Sequence, residues 1–291
     1  MGDFRTIGII GRASDAVGES LKLLTNFLSH RGVSIVLGES IAGLLADNLF
    51  PISSHTKMGE SCDLIIVLGG DGSLLAAARV LARHNVPVLG INRGRLGFLT
   101  DILPDEIEER VGAVLAGEYE IDKRFLLSAV VRRGSEVVGR AEALNDVVVN
   151  SGTSAQMIEF DLYVDNEFVY RQRSDGLIVS TPTGSTAYSL SGGGPIMHPK
   201  LDAVVLVPMF PHTLSSRPIV IDGDSEIRIE IIDSNEIHPP VTCDGQVNIT
   251  AMPGDTVFIT KRRYKLKLIH PTGHSFYASC RDKLGWGSAL V

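Results

Sequence analysis

At 291 residues, 44% hydrophobic and 21% charged, the chain has the profile of a folded protein of roughly two domains, not of a disordered or fibrous one. Lys and Arg number 27 against 34 Asp and Glu, a net charge of −7, which argues against a dedicated nucleic-acid binder because neutralising phosphates takes a basic surface. Cys62, Cys243 and Cys280 lie far apart with no Cys/His cluster, no apolar stretch approaches the ~20 residues of a membrane span, and the opening residues lack a secretory pattern, so a cytoplasmic protein without membrane partner, disulfide framework or structural zinc is expected.

Residues 6–10 read as a strand, and Val17, Leu21, Leu24 and Leu28 recur at helical spacing up to Arg31-Gly32. A second strand follows at 33–37, then a helix face of Ile41, Leu44, Leu45 and Leu49 closed by Pro51. Residues 64–68 are unbroken aliphatic, as in a parallel strand covered on both faces; 74–81 reads as helix, 86–91 as strand and 105–116 as helix. Strands alternating with helices predict a Rossmann-like α/β domain with a parallel sheet. Beyond about residue 120 the pattern turns to short β runs at 126–131, 147–149, 160–164, 177–180, 204–207, 219–221, 226–231, 241–243, 256–259 and 264–269, punctuated by turns such as Asp222-Gly223-Asp224, which predicts an all-β, sandwich-like domain. The expected division is 1–122, 123–272 and a tail at 273–291, with a helix over 276–284. Lys261, Arg262, Arg263, Lys265 and Lys267 resemble a phosphate grip, but alternation with Tyr264, Leu266 and Leu268 is more simply a strand with one wet face.

The sharpest local signal is Gly69-Gly70-Asp71-Gly72, placed after a buried parallel strand and before a helix, where open α/β sheets bind ligands and helix N-termini favour anions. Asp71 is the odd member, because a carboxylate among phosphates is repelled unless it accepts a proton or holds a metal ion; taken alone, the motif is equally an ordinary tight turn with Asp as helix cap. No GxxxxGK[ST] or kinase HRD/DFG pattern is present, and Gly8-Ile9-Ile10-Gly11 does not complete GxGxxG. The second signal is the hydroxyl-rich run 181–191 followed by Gly192-Gly193-Gly194-Pro195, which offers donors without bulk to a polar ligand, with Tyr188 available to stack on a base. Asn145-Asp146 and Ser174-Asp175-Gly176 by themselves are turn signatures.

Gly69-Gly70-Asp71-Gly72, Asn145-Asp146, Asp175-Gly176 and the 181–191 run, joined by residues 211–218, occur in the order and approximate spacing of the bacterial NAD kinases, which the chain resembles over nearly its full length. The resemblance implies an N-terminal α/β domain, a C-terminal β domain and a tail packing back on the first. It further implies transfer of the ATP γ-phosphoryl group to the 2′-hydroxyl of the adenosine ribose of NAD, with Mg²⁺ or another divalent cation, in a homotetramer. By similarity Asp71 is the general base, and Gly70 and Gly72 border the phosphates. Asn145 and Asp146 hold the nicotinamide-side ribose, and Thr186, Ala187, Tyr188, Ser189 and Ser191 contact the dinucleotide. Asp175 contacts it too, acting in trans between subunits; Gln246 is carried over after Asp244-Gly245, and Arg173 bears on the choice of NAD over NADH. No metal ligand is assigned. A sugar or lipid kinase with the same glycine loop, or a dinucleotide sensor without catalysis, are the competing readings.

Overall fold

The computed structural model describes residues 4–46, 49–93, 97–152 and 156–286. The chain separates into two compact units, residues 1–123 with 264–291, and residues 124–263.

The first unit begins β1 (Thr6–Gly11), α1 (Asp15–His30), β2 (Ser34–Gly38), α2 (Glu39–Ala42), β3 (Ile52–Ser53), α3 (His55–Ser61), β4 (Leu64–Leu68), α4 (Asp71–Leu81), β5 (Pro87–Ile91) and α5 (Ile107–Leu115). The strands are parallel in the order β3-β2-β1-β4-β5. All five residues of β4 are buried, as its aliphatic run requires at the centre of such a sheet. Ser14 caps α1 by accepting from Val17 N–H, and Val17, Leu21, Leu24 and Leu28 form the buried stripe that seats the helix on the sheet. The helix expected over 41–49 is shorter: α2 stops at Ala42, with Gly43 as its C-cap. Glycine is a poor helix former, and Leu44 and Leu45 reach the same core from a turn while Leu49 is exposed; residues 47 and 48 lie outside the described residues.

The second unit carries β6 (Tyr119–Arg133), whose first residues belong to the first unit, β7 (Glu136–Ala143), β8 (Asp146–Asn150), β9 (Ile158–Val164), β10 (Glu167–Ser174), β11 (Gly176–Ser180), α6 (Tyr188–Ser191), β12 (Ala203–Met209), β13 (Ile219–Asp222), β14 (Ile227–Ile231), β15 (Pro240–Cys243) and β16 (Val247–Thr250). One antiparallel sheet runs β13-β12-β11-β8-β15-β16. The last strand, β17 (Thr256–Pro271), pairs β14 antiparallel through its first residues, and β14 pairs β9, which pairs β10. Side chains of both layers, among them Phe160, Leu162, Ile229, Val147, Val149, Val179 and Leu206, close one apolar core, the arrangement of a β-sandwich. The other face of β8 and β11 is covered as well: Val148 and Ile178 pack with Met197, Val205 and Val207. The two strands expected at 256–259 and 264–269 are the single strand β17. Of its basic residues, Lys261 pairs with Asp202 at 2.7 Å and Arg262 with Glu142 at 2.8 Å. The later residues of β17 return to the first unit and add a parallel strand beside β5, before α7 (Phe276–Leu284). All three cysteines are free and buried.

Candidate active site

In the first unit, the Gly-rich loop joins β4 to α4, and Gly69 N–H donates to Ile91 O of β5 at 2.9 Å. The helix predicted from Leu74 begins three residues earlier: Gly70 is the N-cap and Asp71 the first helical residue, where a carboxylate is favoured by the helix dipole. The Asp71 carboxylate is fixed by the segment following β5. Its Oδ2 accepts from Phe98 N–H at 2.9 Å, and its Oδ1 from Leu99 N–H at 3.1 Å and from Thr100 Oγ1 at 3.3 Å. An ionised carboxylate offers about four lone-pair positions, so these donors leave one on Oδ2. Asn92 Nδ2 in turn donates to Thr100 Oγ1 at 2.8 Å, and Gly97 N–H closes the turn onto Thr100 O at 3.1 Å. The segment 97–100 is a part of the site that the sequence reading missed. Its only signal is position, directly beyond the carboxyl end of a buried parallel strand.

In the second unit, strand register assembles the other candidates. Ser180 at the end of β11 pairs with Asp146 at the start of β8, and Cys243 at the end of β15 pairs with Val147. The residues just beyond, Thr181 onward, Asn145 and Asp244, therefore meet at one end of the sheet. Thr181 N–H and Oγ1 bond to Asn145 O and Leu144 O at 2.9 and 2.6 Å, and Gly184 lies so close to Asn145 O that any Cβ would overlap it. Asp244 accepts from the backbone N–H groups of Leu144 at 3.1 Å and Asn145 at 2.8 Å, which fixes the Asn145-Asp146 corner. This residue too was not among those predicted, because its contacts lie about a hundred positions away in sequence.

A cavity of about 360 Å³ opens at this corner, lined by Asn145, Asp146, Val148, Asn150, Ala187, Tyr188, Thr242, Asp244 and Gly245. Asn145 Oδ1 and Ser189 Oγ are buried without a hydrogen-bond partner, a cost that a polar ligand or water would relieve. Tyr188 is 45% exposed and also lines a neighbouring cavity of about 280 Å³ together with Ser191 and Phe210. Much of the hydroxyl-rich run is structural: Ser185 Oγ donates to Pro182 O at 2.7 Å and accepts from Met197 N–H at 2.9 Å, and Thr183 Oγ1 accepts from buried Arg124 at 3.2 Å. Thr186 is half-buried with Oγ1 3.5 Å from Thr183 O. Several predicted residues are not among those lining the 360 Å³ cavity, Arg173, Asp175 and Gln246 among them. Arg173 lines a separate cavity of about 330 Å³ with Glu159 and Asn235; Asp175 sits at the β10–β11 corner, bonded through its backbone to Ser151 and Met209; Gln246 is exposed in the β15–β16 turn.

Asp146 is 4% exposed and stands near Asp244, itself 9% exposed. Burial first, and then the Asp244 charge, push the Asp146 carboxyl up to about 7. A carboxyl that holds its proton more tightly when folded than when unfolded stabilises the fold fully below its unfolded value, and that contribution disappears as pH rises through the folded value. The unfolding free energy of the ligand-free protein is thus expected to decline between about pH 4 and pH 7 by an amount on the order of a few kcal/mol. Asp146→Asn should flatten the decline. Urea titrations across this window check it, and identical slopes in parent and variant would refute it.

Comparison with known proteins identifies the family. The family model of the ATP-NAD kinase N-terminal domain matches residues 7–119, and that of the ATP-NAD kinase C-terminal domain matches residues 144–271. NAD kinase of Pseudomonas putida (strain W619) is 58% identical over 291 residues, covering 100% of this chain and 98% of the relative, and NAD kinase of Teredinibacter turnerae is 59% identical over 289 residues, covering 99% of each. Among solved structures, yeast NADH kinase complexed with NADH superposes with a TM-score of 0.88 at 25% identity, covering 99% of this chain and 89% of that one. An NAD kinase from Archaeoglobus fulgidus in complex with ATP gives 0.73 at 26% identity, covering 96% and 98%. With both family models matched and relatives this similar along its whole length, the chain belongs to the ATP-NAD kinase family and is a phosphotransferase.

Proposed function

We propose that this chain transfers the γ-phosphoryl group of ATP to the 2′-hydroxyl of the adenosine ribose of NAD, producing NADP, with Asp71 as general base. The carrying observation is the Asp71 carboxylate itself, held by three donors at the first turn of α4 with one lone pair left to accept a proton. Phosphoryl transfer passes through a loose transition state, so the acceptor hydroxyl loses its proton late and a plain carboxylate suffices; positioning and charge neutralisation supply most of the acceleration. Gly70 and Gly72, at the same turn, border the phosphates, and the yeast and archaeal relatives solved with NADH and with ATP support these two ligand classes.

The cavity at Asn145 and Asp146 suits a dinucleotide ribose, because Asn145 Oδ1 is an unmet acceptor and Asp146 presents a carboxyl able to donate or accept near neutrality. Tyr188 offers a flat, half-open face to a base, with Ala187, Thr186, Ser189 and Ser191 alongside. Arg173 and Asp175 do not line that cavity, which favours the reading that they meet the dinucleotide of a neighbouring subunit in a homotetramer, with Arg173 favouring NAD over NADH.

A divalent cation fits as a companion of the triphosphate. Among the described residues no group of three carboxylates or imidazoles gathers at the Gly-rich loop, and Mg²⁺ is commonly held largely by phosphate oxygens and water, so the triphosphate itself would supply most of its ligands. Its chemistry there is neutralisation of phosphate charge. Among the described residues no helix is long and apolar enough to cross a membrane, and the buried free cysteines suit a reducing compartment, so we place the reaction in the cytoplasm. Incubation with ATP, Mg²⁺ and NAD should yield NADP in proportion to enzyme. Dinucleotide binding without NADP formation would instead identify a sensor, and phosphorylation of a sugar or lipid in preference to NAD would overturn the substrate assignment.

A further inference from the structure

Outside the site just described, three ionisable side chains among the described residues of the first unit form a compact group. Asp101 follows Thr100 directly, His270 lies near the end of β17, and His274 lies in the turn before α7. His270 and His274 both direct Nδ1 at Asp101 Oδ2, the latter at 3.2 Å, and their rings stack with centroids 3.9 Å apart and planes inclined by 15°. His270 is 2% exposed. What the cluster does well is grip a carboxylate.

We propose that Asp101, clasped by His270 and His274, is a positioning residue for Asp71: it anchors the end of the 97–100 segment whose donors aim the Asp71 carboxylate. The path is short and continuous. Asp101 is covalently next to Thr100, which is fully buried and touches Asp71 Oδ1, while Leu99 and Phe98 supply the backbone donors. The clasp therefore ties these donors to the end of β17, a strand paired with β5 through Lys267–Ile269. The cluster leaves Asp101 Oδ1 and His270 Nε2 buried without partners, a cost that favours a positional role over simple stabilisation. Burial alone would raise the Asp101 carboxyl, but the hydrogen bonds and nearness of the two imidazoles hold it well below the usual carboxylate range, so the clasp keeps its anion at neutral pH.

The inference rests on Asp71 being the base, and the test separates the two. In the full-length enzyme, Asp101→Ala and His270→Leu should each lower kcat by about 10- to 100-fold while KM for NAD and for ATP stays within about twofold, the signature of a misaimed catalytic group. His270→Asn, whose amide N–H takes the place of Nδ1–H, should restore most of kcat; a purely structural role would show parallel losses in thermal midpoint with no such rescue. His274→Phe keeps the stacked ring without the donor and gives a milder, few-fold loss, so the proposal stays testable if Asp101→Ala does not fold. Normal kcat in His270→Leu or His274→Phe, or a loss that the asparagine does not reverse, overturns the clasp. If Asp71→Asn turns over normally the base assignment fails instead, and if Asp71→Asn is inert while both clasp variants turn over like the parent, only the positioning role is lost.

Discussion

Asp71→Asn is expected to keep the fold and the dinucleotide affinity while turnover falls by about 10²- to 10⁴-fold, the usual contribution of a positioned general base. The reason lies in how the carboxylate is held. Leu99 N–H and Thr100 Oγ1 occupy Oδ1, Phe98 N–H occupies one side of Oδ2, and what remains on Oδ2 is the lone pair that receives the proton. An amide that keeps its oxygen toward Leu99 and Thr100 places its NH₂ at the Oδ2 position, where it has no lone pair to offer and faces the Phe98 N–H. The lost bond costs roughly 1–3 kcal/mol of local stability, readable as a lowered melting temperature and separable from the catalytic loss. Calorimetric binding of NAD alongside initial rates of NADP formation completes the comparison. Turnover within about twofold of the parent would remove Asp71 from the chemistry.

Gly97→Ala should damage catalysis almost as severely without replacing any group that reacts. An added Cβ would overlap Asp71 Oδ1 and Thr100 Oγ1 and come within 2.8 Å of Asp71 Cγ, so the carboxylate has to move. A displacement near 1 Å at a catalytic group costs about 10²-fold in rate, and overpacking a tight site costs about 1–3 kcal/mol in stability. The expected pattern is a large fall in kcat with KM for NAD nearly unchanged, measured by steady-state kinetics at saturating ATP. A variant with parental kcat would mean that the 97–100 segment yields without disturbing Asp71, and the account of how the base is aimed would have to be abandoned.

The parallel sheet was readable because buried strands and amphipathic helices carry their periodicity openly, as β4 and α1 do. Four strands escaped: β3 is only two residues long, and β7, β10 and β16 are rich in charged or polar residues on exposed faces and exist because neighbours pair with them, as β10 does with β9 over Glu167 to Ser174. The site divides in the same way. Asp71, Asn145, Asp146 and Tyr188 sit in short motifs with distinctive residue types, and the last three meet at one cavity. Asp244 and the 97–100 segment work through backbone N–H groups and long-range contacts, which no residue type announces. In the hydroxyl-rich run, composition draws attention to the region, but it does not distinguish hydroxyls available to a ligand from those already engaged by the chain.

That engagement bears on how genetic data for this protein should be interpreted. Thr181 and Ser185 are fully buried and bonded to the Leu144–Asn145 backbone and to Met197, so their alanine variants lose folded protein before they lose affinity. A library scored by growth alone would count both as nucleotide contacts. Measuring enzyme abundance in the same cells would reassign them to the masonry around the pocket, and leave Asn145 and Ser189, whose buried oxygens have no neighbour to bond, as the positions where growth and abundance diverge.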